Sequence, residues 1–401
     1  MKRLQHAMLG LFAVLAAACE EKLATPADCP TLCPGTSLEI FDTVLVASVQ
    51  EDSAYDGYLS IRDVPSLLVS DDLPEREARS FLQYPDVNDS VQVGGVNMPY
   101  RTDSLAFTFV LEGRDPAARG LTLYLHRIVV GVDSATTFEA IESQLTPATL
   151  LDSVAVSDTA RSGTTARIVL SEAELEKIVP LPEDSGKVAV ALRVAGDRPT
   201  GLRFGSNLSV VGTPALLTYA FVNVPDTSQQ KRTLSVGPEF ANYAVQGGEP
   251  RPPPDILFVG TRRGVRSIIR FDIPPALRDS ITVLRATLEL TPTGSIPGLT
   301  GDPASLQVRG IVADLGAKSP TLVGFGAAAQ VLAGTTGVVS VDVREIVSLW
   351  FIASPAPTVL FIGLFPEGGS FTLPEFFSTR SGAGAPRLRL TYAKPTQPGH
   401  P

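Results

Sequence analysis

Five arginines crowd the stretch from 251 to 270: Arg251, Arg262, Arg263, Arg266 and Arg270. A guanidinium presents paired donors that match the two oxygens of a carboxylate, so such a cluster suits a polymer of acidic sugars. The competing reading is that these are outward sheet and loop positions whose charges pair with neighbouring acids. Sugar rings also stack on aromatic side chains that keep one polar edge wet. Tyr55, Tyr58, Tyr100 and Tyr243 lie in stretches that read as loops, and Tyr243 stands nearest the arginines. A turn tyrosine packed on its own domain is the plainer alternative. The single tryptophan, Trp350, falls on an apolar helical face and reads as core.

Catalytic chemistry finds little support. His126 is the one histidine between the two chain ends, on a strand-like stretch. There is no Gly-x-Ser-x-Gly, no helical histidine pair and no phosphate-binding loop of the Walker type. A two-carboxylate glycosidase stays open, because acids that meet only in space leave no motif. The expectation is a non-enzyme without cofactor or metal centre. Asp86-Val87-Asn88-Asp89 offers oxygens for a structural calcium ion but lacks the spacing of a calcium loop, and a turn is the simpler reading. Gly324-Phe325-Gly326-Ala327-Ala328-Ala329 has dinucleotide-loop spacing without a βαβ context, and reads as a flexible loop.

The N-terminus reads as an export signal. Lys2, Arg3 and His6 precede an apolar run from Ala7 to Ala18, too short to span a bilayer as a helix. Leu15-Ala16-Ala17-Ala18-Cys19 resembles a bacterial lipoprotein cleavage site, which would leave Cys19 as the acylated first residue. An ordinary secretory peptide with Cys19 nearby is the alternative. Glu20, rather than Asp, favours the outer membrane. Cys29 and Cys33 then pair as a small disulfide loop or, less simply, join a metal site that lacks further ligands.

These residues need a scaffold, and the chain writes one twice. Arg79-Ser80-Phe81-Leu82-Gln83-Tyr84 is answered by Arg266-Ser267-Ile268-Ile269-Arg270-Phe271. Pro214-Ala215-Leu216-Leu217-Thr218-Tyr219-Ala220 is answered by Pro386 to Ala393. Each half also carries one helix-like segment, capped at Ser171 with Glu174 and at Asp342 with Glu345. Gln83 stands where Arg270 falls, so the copies are not expected to bind alike. The spacing predicts about sixteen extra residues in the first copy between the Arg-Ser strand and the helix. In the second copy Val265 to Ile273 alternates, and Ile281 to Thr291 places Ala286, Leu288 and Leu290 with Leu284 on one face. Hydrophobic residues make up 44% of 401, with 34 Gly and 33 Pro, which fits many short strands and turns. The expected fold is all-β: two tandem antiparallel β-sandwiches, jelly-roll-like, each with one short helix. Expected boundaries are signal 1–18, tether 19–35, module 1 over 36–225, module 2 over 236–394 and a disordered tail over 395–401.

A strand ending Arg266-Ser267-x-x-Arg270-Phe271-Asp272-Ile273, then Ala286-Thr287-Leu288-Glu289-Leu290, resembles the DNRLRN-type domain. Val341-Asp342-Val343 before a helix ending in Trp350, and the turn and Pro-x-Leu-x-Leu-x-Tyr strand within Phe377 to Tyr392, extend the resemblance over 236–393. Residues 36–220 share it faintly, through the repeat. That family is grouped with carbohydrate-binding modules resembling β jelly rolls, some attached to alginate lyases. The resemblance implies a non-catalytic, polysaccharide-facing module.

Charge divides the halves. Residues 36–235 hold 16 Lys/Arg and 27 Asp/Glu, a net of -11, whereas 236–394 hold 14 and 12, a net of +2. An acidic first module argues against nucleic acid as partner. The combined expectation is a lipid-anchored protein of the cell envelope, at the outer membrane, taking an acidic polysaccharide through module 2. The alternative is an assembly protein that contacts an envelope protein partner.

Overall fold

A computed structural model describes residues 38–47, 53–60, 62, 64–73, 76–85, 90–178, 187–222, 230–250, 255–278, 281–352 and 356–395. Cys19, Cys29, Cys33, Arg251 and the Asp86–Asp89 run lie outside them. Phe41–Ala393 is one compact unit; of a separate unit made of the two ends, only Leu38–Ile40 and Lys394–Pro395 are described.

The fold is all-β and antiparallel. In chain order the strands are β1 (Leu38–Val46), β2 (Ser53–Tyr55), β3 (Ser66–Asp71), β4 (Ala78–Tyr84), β5 (Ser90–Val93), β6 (Val96–Arg114), β7 (Thr122–Ile128), β8 (Leu150–Ala155), β9 (Thr165–Ser171), β10 (Val188–Ala195), β11 (Thr200–Gly205) and β12 (Ala215–Val222). They continue as β13 (Gln230–Val236), β14 (Phe240–Val245), β15 (Ile256–Phe258), β16 (Arg266–Arg270), β17 (Thr282–Leu290), β18 (Ala304–Ile311), β19 (Thr321–Val331), β20 (Val339–Asp342), β21 (Val359–Phe365), β22 (Glu375–Phe377) and β23 (Arg387–Pro395). Helices α1 (Phe138–Glu142) and α2 (Arg344–Ile352) join a 3-10 turn at Glu172–Lys177.

The repeat governs the topology. One sheet runs β14-β4-β10-β7-β8, and its counterpart runs β2-β16-β21-β18-β19. The facing sheet of the first sandwich contains β13-β12-β6 with β9 on the far side of β6, and its counterpart runs β1-β23-β17-β20. Strands β3 and β11 complete the first, as β15 and β22 complete the second. Every strand from β1 to β12 except the hairpin strand β5 thus has a partner in the same order from β13 to β23.

The packed sandwiches do not coincide with the sequence copies. The division at 225/236 assigns β14 to the second copy, yet β14 pairs with β4 of the first, Tyr243 opposite Ser80. Conversely β2, from the first copy, pairs with β16, Ala54 opposite Ser267. The copies have exchanged their opening strands. Sandwich A is the continuous run β3–β14; sandwich B is β15–β23 closed by β1 and β2.

Alternation explains the cores. Leu105, Phe107, Phe109 and Leu111 of β6 point into sandwich A with Tyr84, Phe204 and Tyr243. Fully burying a side chain of this size stabilises by about 1.5–3 kcal/mol. Sandwich B packs Ile269, Phe271, Leu288, Leu306, Leu360 and Leu390. Central β10 and β21 are apolar on both faces because each sheet is also covered outside.

Three local expectations need correction. Leu284 is 42% exposed and Val283 is buried, because a bulge between Val283 and Arg285 shifts the register and swaps the faces there. The Gly324–Ala329 segment is no loop but part of β19, held by antiparallel pairing to β18. Sandwich A has a second helix, α1, within the 129–149 connection; the matching connection in sandwich B, 312–320, is about a dozen residues shorter. The Ser171–Glu174 capping box is formed, and Asp342 Oδ1 accepts from Arg344 N at 3.0 Å. Trp350 packs half-buried against the core, 6.1 Å from Phe271.

Candidate functional site

The repeated Arg-Ser pair is a fastening device. Ser80 Oγ donates to Leu68 O at 2.8 Å, and Ser267 Oγ donates to Phe258 O at 2.9 Å, tying β4 to β3 and β16 to the end of β15. The arginines lie on the outer sheet faces. Arg79 meets Glu142 at 2.6 Å and Glu77 at 2.7 Å and lies 5.1 Å from the Phe138 ring, pinning α1 over its sheet. Arg266 meets Glu367 through both oxygens, at 2.5 and 2.7 Å, and lies 4.4 Å over Tyr58 and 5.4 Å over Phe361. Tyr58 in turn donates to Ala317 O at 2.7 Å. Both arginines therefore hold a cover in place.

The arginine cluster is spread over separate tasks. Arg270 makes a two-point bond to Asp314 at 2.6 and 2.7 Å, and this bond holds the Asp314 carboxyl below its ordinary range despite partial burial. Arg263 is exposed, 3.5 Å from Asp56. Arg262 donates to the main-chain oxygen of Tyr243 at 2.7 Å. Arg266 and Arg270 share the outer face of β16; Arg262 and Arg263 sit in the β15–β16 turn. Tyr243 is not a surface ring: it is an inward position of β14, fully buried, with its hydroxyl donating to Gly368 O at 2.9 Å and accepting from Arg76 at 3.2 Å. Burial, reinforced by Glu249, raises its phenol. Tyr55 and Tyr58 pack on the outer cluster Ile268, Ile311, Val359 and Phe361.

Beside this cover the outer face of sandwich B opens. Gln307 and Arg309 on β18, Phe361 and Phe365 on β21, and Arg266 with Glu367 line a cleft of about 90 Å³. Phe365 is 57% exposed. Arg309 donates to Gln307 Oε1 at 2.8 Å and has no carboxylate within 4.0 Å among the described residues. In sandwich A the equivalent face is shut: His126, opposite Ala191, occupies the place of Arg309, opposite Phe361, and α1 lays Phe138 and Ile141 across it. The sequence reading missed Phe365 and Arg309. The available signal was parity: 361, 363 and 365 share the face that 360, 362 and 364 do not.

Two acids do meet in space. Glu112 and Asp302 both engage Arg203, with Ser66 and Ser209 donating to Glu112. Both carboxylates are buried and share the one guanidinium, an arrangement of a structural clamp. Among the described residues no group of three or more His, Cys, Asp or Glu converges as a metal site. No described helix is long and apolar enough to cross a membrane.

No family model and no curated protein matches this chain. Among solved structures, one of infectious bursal disease virus Gx strain aligns at 9% identity over 91% of this chain and 79% of that chain, with a TM-score of 0.18. Another, described as BspA_C_mut, aligns at 7% identity over 84% and 92%, with a TM-score of 0.14. Likeness at this level carries no argument about either fold or role.

Proposed function

We propose that the chain is an exported, lipid-anchored, non-catalytic protein of the cell envelope that binds polysaccharide on the outer face of sandwich B. The observation that supports binding is Phe365, an exposed ring in one cleft with Arg309, Gln307 and Glu367. A pyranose face stacked on Phe365 brings hydroxyls towards Gln307 and Glu367, and a uronate carboxylate towards Arg309. The anchor rests on the residues before Cys19 and on its thiol.

Titration with alginate oligosaccharides tests the binding. Phe365→Ala and Arg309→Ala are each expected to weaken it about tenfold, the equivalent of about 1.4 kcal/mol. Unchanged affinity in both variants removes the cleft from the reading. Cys19→Ser is expected to abolish acylation and release the protein from membranes.

A second reading has its own support. β19 is an edge strand of Thr321–Val331 without a charged residue, with Val323 95% exposed and Phe325 38% exposed. Such an edge suits pairing with an envelope protein. A photo-crosslinker at Val323 that captures one defined partner in cells, with no glycan binding, favours this assembly role.

A further inference from the structure

Sandwich A carries a cationic, aromatic face that the net charge of -11 over residues 36–235 conceals. Tyr219 and Phe221 project from the outer side of β12, two residues apart. Arg167 on β9 reaches across β6 to donate to the Tyr219 hydroxyl at 2.7 Å, its guanidinium 5.4 Å from the ring centre. Lys231 on β13 lies 4.9 Å and Arg101 on β6 lies 5.6 Å from the centre of Phe221. Arg167, Tyr219, Phe221, Lys231 and Arg232 line an open cleft of about 280 Å³, with Asp103 at its side. Arg101 is paired to Glu172 at 2.8 Å. Among the described residues no carboxylate lies within 4.0 Å of Arg167, Lys231 or Arg232.

The face exists because of a one-residue difference between the copies. Counted from Pro214 and Pro386, Leu216 and Leu388 both point inwards, opposite Phe107 and Leu288. The second copy then has one more residue before its tyrosine. Tyr392 therefore faces the core at 7% exposure, while Tyr219 faces out. The tyrosines that match in sequence lie on opposite faces.

We propose that this face is a binding site for an acidic saccharide, independent of the Phe365 cleft. Rings about 7 Å apart along one strand give stacking surfaces for a chain of sugars. Guanidinium and ammonium groups without a carboxylate partner among the described residues stand beside them to meet the acids of the sugar. Asp103 decides between occupants: it accepts hydrogen bonds from sugar hydroxyls, but repels a phosphodiester strand or an acidic peptide that brings no hydroxyl donor to it.

The test is calorimetric titration of the full chain with an alginate hexamer, a neutral cello-oligosaccharide and a single-stranded oligonucleotide. Two backgrounds are compared: Phe365→Ala with Arg309→Ala, and Tyr219→Ala with Phe221→Ala. Alginate binding that survives the first pair and falls about tenfold or more in the second supports the site. Arg167→Gln and Lys231→Gln, at exposed positions that leave the fold intact, are expected to weaken alginate and to leave any neutral-sugar binding unchanged. Binding lost only with the Phe365 pair overturns this proposal while the function above stands; the reverse pattern overturns the Phe365 cleft alone. Oligonucleotide binding stronger than alginate and removed by Tyr219→Ala with Phe221→Ala overturns the saccharide assignment. No alginate binding by the unaltered chain overturns both.

Discussion

Arg203 grips Asp302 through two bonds, Nε to Oδ2 at 3.0 Å and Nη2 to Oδ1 at 2.7 Å, and so ties sandwich A to sandwich B. Its remaining nitrogen Nη1 donates to Glu112 at 3.0 Å. Gly113 gives the room: a Cβ there would stand 2.5 Å from the Asp302 carboxylate. Arg203→Ala leaves two buried carboxylates without a cation. The expected loss is about 3–5 kcal/mol in urea unfolding. A loss below about 1 kcal/mol would show that the clamp contributes nothing specific.

The exchanged strands make a prediction that separates the sandwiches. Tyr58 follows β2 and meets Phe361 edge-on at 5.4 Å. Tyr58→Ala is expected to destabilise by about 2 kcal/mol. In amide hydrogen exchange the faster sites should fall in β16 and β21, not in β4 and β10. Faster exchange confined to sandwich A contradicts the exchange of strands.

His126 supplies a pH dependence. Burial, with Arg193 nearby, holds its pKa below the ordinary 6.5, and Nδ1 lies 3.3 Å from Thr149 Oγ1. The unfolded chain therefore takes up a proton on this ring before the folded chain does. Stability is full above about pH 6.5 and declines as pH falls below it. Unfolding midpoints measured from pH 8 to pH 5 should flatten in His126→Gln. An NMR titration placing His126 at or above 6.5 defeats the account.

The bulge in β17 predicts an inversion between neighbours. Val283→Asp puts a charge into the core and is expected to cost about 3 kcal/mol or more, whereas Leu284→Asp should stay within about 0.5 kcal/mol. Circular dichroism melts of the two variants decide it, and equal losses remove the bulge.

That pair of residues shows where sequence reading stops. Strict alternation put Leu284 inside, since a period of two carries no mark of an inserted residue. The repeat, the cap at Ser171 and the inward positions of Val265 to Ile273 were legible because each is a local pattern. Pairing partners were not: nothing in Ser53–Tyr55 names β16 as its neighbour. The same limit governed the arginines. The acids of two of them lie far off in sequence, Glu367 101 residues from Arg266 and Asp314 44 residues from Arg270, so what reads as free charge at those two positions is closed pairs in space. β19 escaped because glycine and alanine are poor strand formers, and its pairing to β18 overrides that preference.

The exchange of opening strands also sets an order of events. Sandwich A, from β3 to β14, has all its strands in hand once residue 245 has been made, and its core then lacks only Leu299 and Phe371. Sandwich B must wait, because β1 and β2 find their seats only beside β23 and β16. The first-made of these strands take their places only after the last, so the second sandwich folds at the pace of the whole chain.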